Sequence, residues 1–198
     1  MRPRLHLSWS SLSTLERSEK EWIRIYLEGG SIPINRGMAL GKRMADALEA
    51  DEDTGDLGMD IVISQLPKFE LMDKRMETEV VVQGQKIPIV IKPDTANKEL
   101  TGFKEYKTGA TKWDQRKVDE FGQITFYATG IHAMKGSIPT DIELVWAPTK
   151  KTPDGKVELT GIIKRFRTKR GLADILKMKV RMRKAWLRME ELTMEALT

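Results

Sequence analysis

The sequence predicts an α/β protein in which a central mixed β-sheet is flanked by helices. Segments with helical periodicity lie near both ends of the chain, strand-like segments fill the middle, and one long helical segment separates those strands into two groups. The predicted elements are two helices, a group of strands, one long helix, two further strands and a final helix. A chain of 198 residues, 40% hydrophobic and 32% charged, can bury one sizeable core. No repeat or linker divides it, so we expect a single domain over residues 1–198.

Two helices are predicted before the first strand. The first covers residues 10–28, with Ser11 or Ser13 as its cap and Gly29 at its end. The second covers residues 36–50. The acidic, glycine-containing run that follows is typical of a solvated turn, because it lacks the terminal glutamate of a calcium loop.

The middle and end of the chain supply the strands and two further helices. Strands are predicted at residues 61–63, 79–82, 87–92, 100–106, 141–147 and 157–167, with a hairpin turn at Gly84. Helices are predicted at residues 113–134 and 171–194.

Composition restricts the kind of metal site that the chain can form. It has no cysteine, which excludes disulfides, thiolate zinc sites and iron–sulfur clusters, and its two histidines are His6 and His132. A metal must therefore be held mainly by oxygen, which favours Mg²⁺ or Mn²⁺.

The chain is expected to be a cytoplasmic protein of a bacterial or phage-infected cell. No apolar run approaches the roughly 20 residues of a membrane span, and the basic start of the chain lacks the apolar stretch of a signal peptide. The net charge of +5 is compatible with nucleic-acid binding and equally with a mildly basic soluble protein.

The segment from Pro93 to Tyr127 is the main candidate for a functional site. Alternation along a strand places Glu105 and Lys107 on one face, and Asp94 ends the preceding strand, so that a hairpin can bring it beside Glu105. The two carboxylates can bind a divalent cation, while Lys107 can orient a water or neutralise charge on a phosphate.

A glutamine and a tyrosine on the following helix raise the specificity of this pattern. An acid-x-base triplet such as Glu105 to Lys107 is expected about 5 times by chance in this composition. By contrast, the five glutamines and three tyrosines of the chain give roughly 0.08 chance Q-x-x-x-Y matches. Gln123 and Tyr127 form such a match and lie one helical turn apart.

Four stretches resemble the PD-(D/E)XK nucleases of the RecB-like branch, which includes many phage exonucleases. They are L-S-W-S-S-L-S-T-L-E, G-K-R-M-A-D-A-L-E, G-F-K-E-Y-K-T-G and Q-I-T-F-Y, between Leu7 and Tyr127. The resemblance implies a restriction-endonuclease-like domain in which Asp94 and Glu105 bind metal and Lys107 is catalytic. Gln123 and Tyr127 would position the site or contact the DNA backbone.

Two features depart from that family pattern. Many relatives carry a histidine ligand on the second helix, where this chain has Ala45, or Met44 if the alignment shifts. Glu49 is the preferred substitute metal ligand, and an ordinary exposed helix carboxylate is the alternative. The iron–sulfur cysteines of some relatives are also missing, and Ser18 stands where one is expected.

Basic residues are concentrated towards the end of the chain. Those from Lys164 to Arg170, and others on the final helix, can follow a phosphate backbone or form a solvated face. Lys104 is expected to contact phosphates beside the site. Trp113 can stack on a base or pack the turn against the helix.

The sequence thus predicts a Mg²⁺- or Mn²⁺-dependent deoxyribonuclease of DNA repair, recombination or phage DNA processing. An exonuclease is favoured over an endonuclease, because no separate recognition domain fits in this length. DNA is the expected substrate, and a homo-oligomer or a recombination partner is possible. The alternatives are a nucleic-acid-binding module with a nuclease fold and an assembly subunit that uses the final helix.

Overall fold

The computed structural model describes residues 6–196, so the basic start of the chain, residues 1–5, lies outside the described residues. It confirms an α/β fold with mixed sheets flanked by helices. The helices are α1 (Trp9–Arg17), α2 (Glu19–Tyr26), α3 (Arg36–Ala50), α4 (Leu57–Gln65), α5 (Gln115–Asp119), α6 (Gly122–Lys135) and α7 (Leu172–Glu195). The strands are β1 (Leu7–Ser8), β2 (Leu71–Met72), β3 (Met76–Val82), β4 (Gln85–Ile91), β5 (Thr95–Ala96), β6 (Gly102–Gly109), β7 (Asp141–Lys151), β8 (Val157–Leu159) and β9 (Lys164–Thr168).

The first predicted helix is two helices, which meet at Ser18. Ser18 has an extended backbone, and its hydroxyl accepts a hydrogen bond from Glu21 N at 3.2 Å, which caps α2. Its own N–H closes α1 by donating to Thr14 O at 2.8 Å.

The strand predicted at residues 61–63 is wrong, because these residues lie in α4. Asp56 caps α4, and a short apolar run cannot by itself distinguish helix from strand.

The long helix predicted at residues 113–134 is also two helices, α5 and α6, separated by Glu120 and Phe121. Helix α6 is buried along most of its length, as expected for a helix with apolar residues on all sides. It contacts β3 and β4 on one side, and Tyr127 packs against Phe103 of β6 on the other. Gly130 permits this approach, since a Cβ there would lie 2.7 Å from Ile91 Cγ2.

The strands form two sheets. In the larger sheet β6 and β7 are parallel over residues 102–109 and 141–148, while β5, β8 and β9 add in antiparallel orientation. In the smaller sheet β4 lies between β3, antiparallel, and β1, parallel. The parallel β6–β7 pair is therefore the centre of the larger sheet.

The two faces of β6 belong to different cores. Phe103 lies in the larger core with α1, α2, α6, α7 and the smaller sheet. Tyr106, on the opposite face, packs with Met44 and Leu48 of α3 and with residues of α4. Alternation along β6 thus directs successive side chains into different environments.

Every helix formed by residues 6–196 is too short or too polar to cross a bilayer.

Candidate active site

Strand β6 brings Glu105 and Lys107 together on its α6-facing side. Glu105 is only 2% exposed, and Lys107 Nζ donates a hydrogen bond to its Oε1 at 2.6 Å. The two residues are separated by one position, which places them on the same face of the strand. Their pairing is therefore a direct result of strand alternation.

Helix α6 completes a hydrogen-bonded network around this pair. Lys107 Nζ donates to Gln123 Oε1 at 3.0 Å, and Gln123 Nε2 donates to Glu105 Oε1 at 2.6 Å. The same Nε2 donates to Tyr127 Oη at 2.8 Å. Gln123 therefore fixes Glu105 and Lys107 relative to each other, and Tyr127 fixes the glutamine.

Asp94 lies at the edge of β6, where the short strand β5 has not yet begun. Its Oδ2 accepts a hydrogen bond from Tyr106 N at 2.5 Å. The side chain thus occupies the ladder position that a neighbouring strand's carbonyl would otherwise take. This bond holds the Asp94 carboxylate next to the backbone between Glu105 and Lys107.

Both carboxyl groups are held in conditions that disfavour their ionised forms. Burial, and then the negative charge of Glu105, raise the pKa of Asp94 well above its usual value. Burial also raises the pKa of Glu105, although hydrogen bonds and charge from Lys107 and Gln123 act in the opposite direction. Two mutually repelling buried carboxylates favour the arrival of a cation.

Lys107 is shifted towards its charged form. Burial acts to lower its pKa, but the negative charges of Glu105 and Asp94 outweigh burial, so the pKa lies above its ordinary value. Lys107 is thus a charged hydrogen-bond donor at neutral pH rather than a free base.

Glu105 has one oxygen available for a ligand. Its Oε2 is buried and has no hydrogen-bond partner within residues 6–196. An unpaired buried carboxylate oxygen is costly, and a hard divalent cation would satisfy it. Asp94 and Glu105 therefore fit a Mg²⁺ or Mn²⁺ ion as donors. Over the same residues, no three acidic, histidine or cysteine side chains converge into a complete metal site.

A cleft of about 500 Å³ opens beside this network between α3 and the end of β6. Asp94 and Lys107 line it from the sheet side, and Ala45 lines it from α3, where the family resemblance expects a histidine. Glu49, the preferred substitute ligand, is an exposed residue of the same helix. It lines a cavity of about 20 Å³ with Asp94, a volume suited to a single water or ion.

Asp73 also lies at the site, although its sequence neighbourhood carries no signal for it. It lines the 20 Å³ cavity, and its backbone N–H donates to Asp94 O at 2.9 Å. Its negative charge contributes to the raised pKa values of Asp94 and Glu105. In the structure its carboxylate forms an ion pair with Lys92. The pairing of β2 with β5 brings it here, and such short strands cannot be recognised from local pattern.

Lys104 was expected to contact phosphates beside the site. The structure instead places it on the opposite face of β6, where it is buried. Its Nζ is 3.3 Å from Glu143 Oε2 and 4.2 Å from the centre of the Phe69 ring. Arg165 binds both oxygens of Glu143, at 2.7 and 2.8 Å. These three charged residues, Lys104, Glu143 and Arg165, are called the paired cluster below.

The basic residues of the final helix are partly neutralised. Arg181 forms an ion pair with Glu16 at 2.7 Å, and Arg188 forms one with Glu19 at 2.8 Å. The helix's main apolar stripe is core, with these residues buried: Ile175, Met178, Met182, Ala185, Met189 and Leu192. Trp113 packs against Phe121 with ring centres 4.9 Å apart, which matches the packing role rather than an open stacking surface.

No family model matches the sequence, and a comparison with curated proteins also gave no match. Among solved structures, the fold is similar to one described as the crystal structure of SSO0001. The TM-score is 0.53 at 14% identity, and the similarity covers 92% of this chain and 77% of the other. At this identity the likeness concerns the fold.

Proposed function

We propose that this protein is a Mg²⁺- or Mn²⁺-dependent DNA nuclease with a restriction-endonuclease-like domain. The observation that carries the proposal is the network of Glu105, Lys107, Gln123 and Tyr127, in which a buried Glu105 oxygen has no partner while Asp94 lies alongside. These residues match the motif of the RecB-like nucleases one by one.

Each residue has a role that its contacts support. Asp94 and Glu105 would hold the ion, with Glu49 as the predicted helix ligand, and a bound divalent ion supplies positive charge that polarises the phosphodiester and promotes ionisation of water. Lys107 would stabilise the negative charge that builds up on the phosphate, for which its charged state is suited. Gln123 would keep Lys107 and Glu105 in register, and Tyr127 would support Gln123.

Degradation of DNA by purified protein tests the proposal. With Mn²⁺, the wild type should degrade linear DNA and leave closed circular DNA intact if it is an exonuclease. Asp94→Asn and Lys107→Met should lose about 10²-fold or more of this activity. Glu158→Gln, an exposed carboxylate on β8, serves as the matched control and should cleave like wild type. Equal cleavage by all four proteins, or none under either metal, contradicts the proposal.

A nucleic-acid-binding module with a nuclease fold is the second candidate. It is favoured by Ala45 in the cleft and by the lack of three converging ligand side chains within residues 6–196. Calorimetric titration with Mn²⁺ separates the two candidates. A nuclease site should bind the ion and lose it in Glu105→Gln, whereas a pure binding module should show DNA affinity without a specific metal site.

A further inference from the structure

A buried arginine outside the candidate site makes hydrogen bonds to the joint between α5 and α6, and α6 carries Gln123. Arg170 follows β9 and is 7% exposed. The sequence groups it with the basic residues that could follow a phosphate backbone. Its burial removes it from any such surface, so a charged side chain at this buried position needs a different explanation.

All five N–H donors of the Arg170 guanidinium make hydrogen bonds. Its Nε donates to Thr125 Oγ1 at 2.7 Å, and one terminal nitrogen donates to Thr168 Oγ1 at 2.6 Å and Lys169 O at 2.8 Å. The other terminal nitrogen donates to Val118 O at 3.0 Å and Phe121 O at 3.4 Å. Because an arginine has five such donors in a fixed plane, the set is complete.

These acceptors lie on both sides of the α5–α6 joint. Val118 belongs to α5, Phe121 precedes α6, and Thr125 lies in the first turn of α6. Phe121 makes no side-chain cap bond for α6. The guanidinium therefore sets the angle at which α6 leaves the joint, because it holds Phe121 and Thr125, two residues before and two residues after Gln123.

Phe121 connects the same joint to Lys107. The Lys107 Nζ lies 5.5 Å from the centre of the Phe121 ring, within the range of a cation–π contact. Trp113 and Trp9 pack against that ring at 4.9 and 6.2 Å. A shift of the joint would therefore move both Gln123 and the aromatic ring that faces Lys107.

All five acceptors of Arg170 are neutral oxygens, so the buried charge is not offset by a carboxylate in direct contact. Burial lowers the pKa of Arg170, while the more distant charges of Asp174 and Asp119 act to raise it. A buried cation without a direct counter-ion is an expensive way to pack a core. Its planar set of donors, which a lysine cannot reproduce, offers directional control of the joint instead.

We propose that Arg170 is a positioning residue of the candidate site, which holds the α5–α6 joint so that Gln123 bridges Glu105 and Lys107. The catalytic consequence rests on the proposed nuclease function, whereas the positioning of Gln123 does not. Two measurements therefore test it, one of which needs no activity.

The first measurement is the side-chain amide signal of Gln123 in ¹⁵N-labelled protein, assigned by its loss in Gln123→Glu. Arg170→Lys and Arg170→Met should shift or broaden this signal. Arg116→Met should leave it in place, since Arg116 is an exposed arginine of α5 that pairs with Glu120. An unchanged Gln123 signal in a folded Arg170→Lys protein overturns the proposal.

The second measurement is steady-state cleavage of linear DNA, well below the melting temperature of each variant. Arg170→Lys and Arg170→Met should lower kcat by about 10- to 100-fold with KM within about 2-fold, as for supporting residues around other sites. Guanidinium ion at low millimolar concentration should restore kcat in Arg170→Ala at least in part. A kcat that falls only in proportion to the unfolded fraction, measured by circular dichroism, overturns the positioning role. If wild type cleaves no DNA under either metal, the nuclease function fails while the amide signal still decides the inference.

Discussion

The two faces of the β6–β7 strand pair carry buried glutamates, Glu143 of β7 on one face and Glu105 of β6 on the other, whose hydrogen bonding differs. On one face Glu143, 2% exposed, has both oxygens bound, by Arg165 and Lys104. On the other face Glu105 is also 2% exposed. Its Oε1 accepts hydrogen bonds from Lys107 and Gln123, while its Oε2 has no partner within residues 6–196. Burial raises the pKa of both glutamates, but the bonds and charges of Arg165 and Lys104 bring that of Glu143 below its usual value, while that of Glu105 stays above.

The difference shows that two equally buried glutamates are distinguished by how many of their oxygens have partners. The paired cluster places two cations on Glu143, and Asp141 lies 3.7 Å from Lys104, so the desolvation of Glu143 is compensated. The candidate site has two carboxylates, Asp94 and Glu105, and one cation, Lys107. Its unpaired oxygen costs stability that a bound cation would return.

The largest expected contrast is in DNA cleavage. Glu105→Gln should lower the cleavage rate by about 10³-fold, equivalent to about 4 kcal/mol, because the proposed metal ligand is replaced by a weaker neutral donor. Glu143→Gln should stay within about 3-fold of wild type when assayed well below its melting temperature. Comparable losses in both variants would mean that the two faces do not differ in function.

The contrast in stability should run the other way. Glu143→Gln should lower the free energy of unfolding by about 3 kcal/mol, because Lys104 and Arg165 lose their buried partner. Glu105→Gln should be neutral or raise it by up to about 1 kcal/mol in metal-free protein, as expected where function opposes stability. Urea denaturation with chelator present measures both. A loss in Glu105→Gln as large as that in Glu143→Gln would contradict the interpretation.

The pH dependence of the free energy of unfolding should have opposite sign for the carboxyl groups on the two faces. Asp94 has a raised pKa in the fold, so its contribution is fully present below the unfolded-state value and is lost as pH rises through the folded-state value. Glu143 has a lowered pKa, so its contribution is present above the unfolded-state value and is lost as pH falls through the folded-state value.

Urea unfolding of metal-free protein between about pH 3 and pH 8 checks these signs. The free energy of unfolding of Asp94→Asn should increase relative to that of wild type as pH rises. The amount by which Glu143→Gln is less stable than wild type should shrink as pH falls. Parallel curves for wild type and both variants would show that neither carboxyl group behaves as inferred.

The smallest effect is expected when the whole paired cluster is replaced. A triple variant, Lys104→Met with Glu143→Leu and Arg165→Met, should unfold within about 1 kcal/mol of wild type, since apolar packing can substitute for a buried ionic group. Its DNA cleavage should be kept. A triple variant less stable than Glu143→Gln would indicate that the cluster does more than balance its own charges.

Sequence periodicity was sufficient for the parts of the site that local geometry determines. Glu105 and Lys107 share a face because strands alternate, and Gln123 and Tyr127 meet because helical residues four apart are neighbours. The helix at Arg36–Ala50 was predicted with its observed bounds for the same reason, and Asn35 caps it at 2.9 Å.

Features that depend on tertiary pairing were outside the reach of local pattern. Lys104 is buried because β6 pairs with β7, which places Glu143 opposite it, and β9 adds Arg165. Asp73 reaches the site through a two-residue strand, and Arg170 is buried by a joint that the sequence presents as continuous helix. The role of Glu49 remains a prediction, for which Glu49→Gln in the Mn²⁺ titration is the direct test.

The parallel pairing of β6 with β7 has a kinetic consequence. Parallel strands need a crossover connection, and here the crossover contains α6 with Gln123 and Tyr127. The segment that makes the pairing possible therefore also delivers Gln123 and Tyr127 to the candidate site. Because β6 and β7 cannot pair unless this crossover is in place, the acid–lysine pair and its glutamine should become ordered together. Amide protons of β6 and α6 would then exchange with solvent as a single unit.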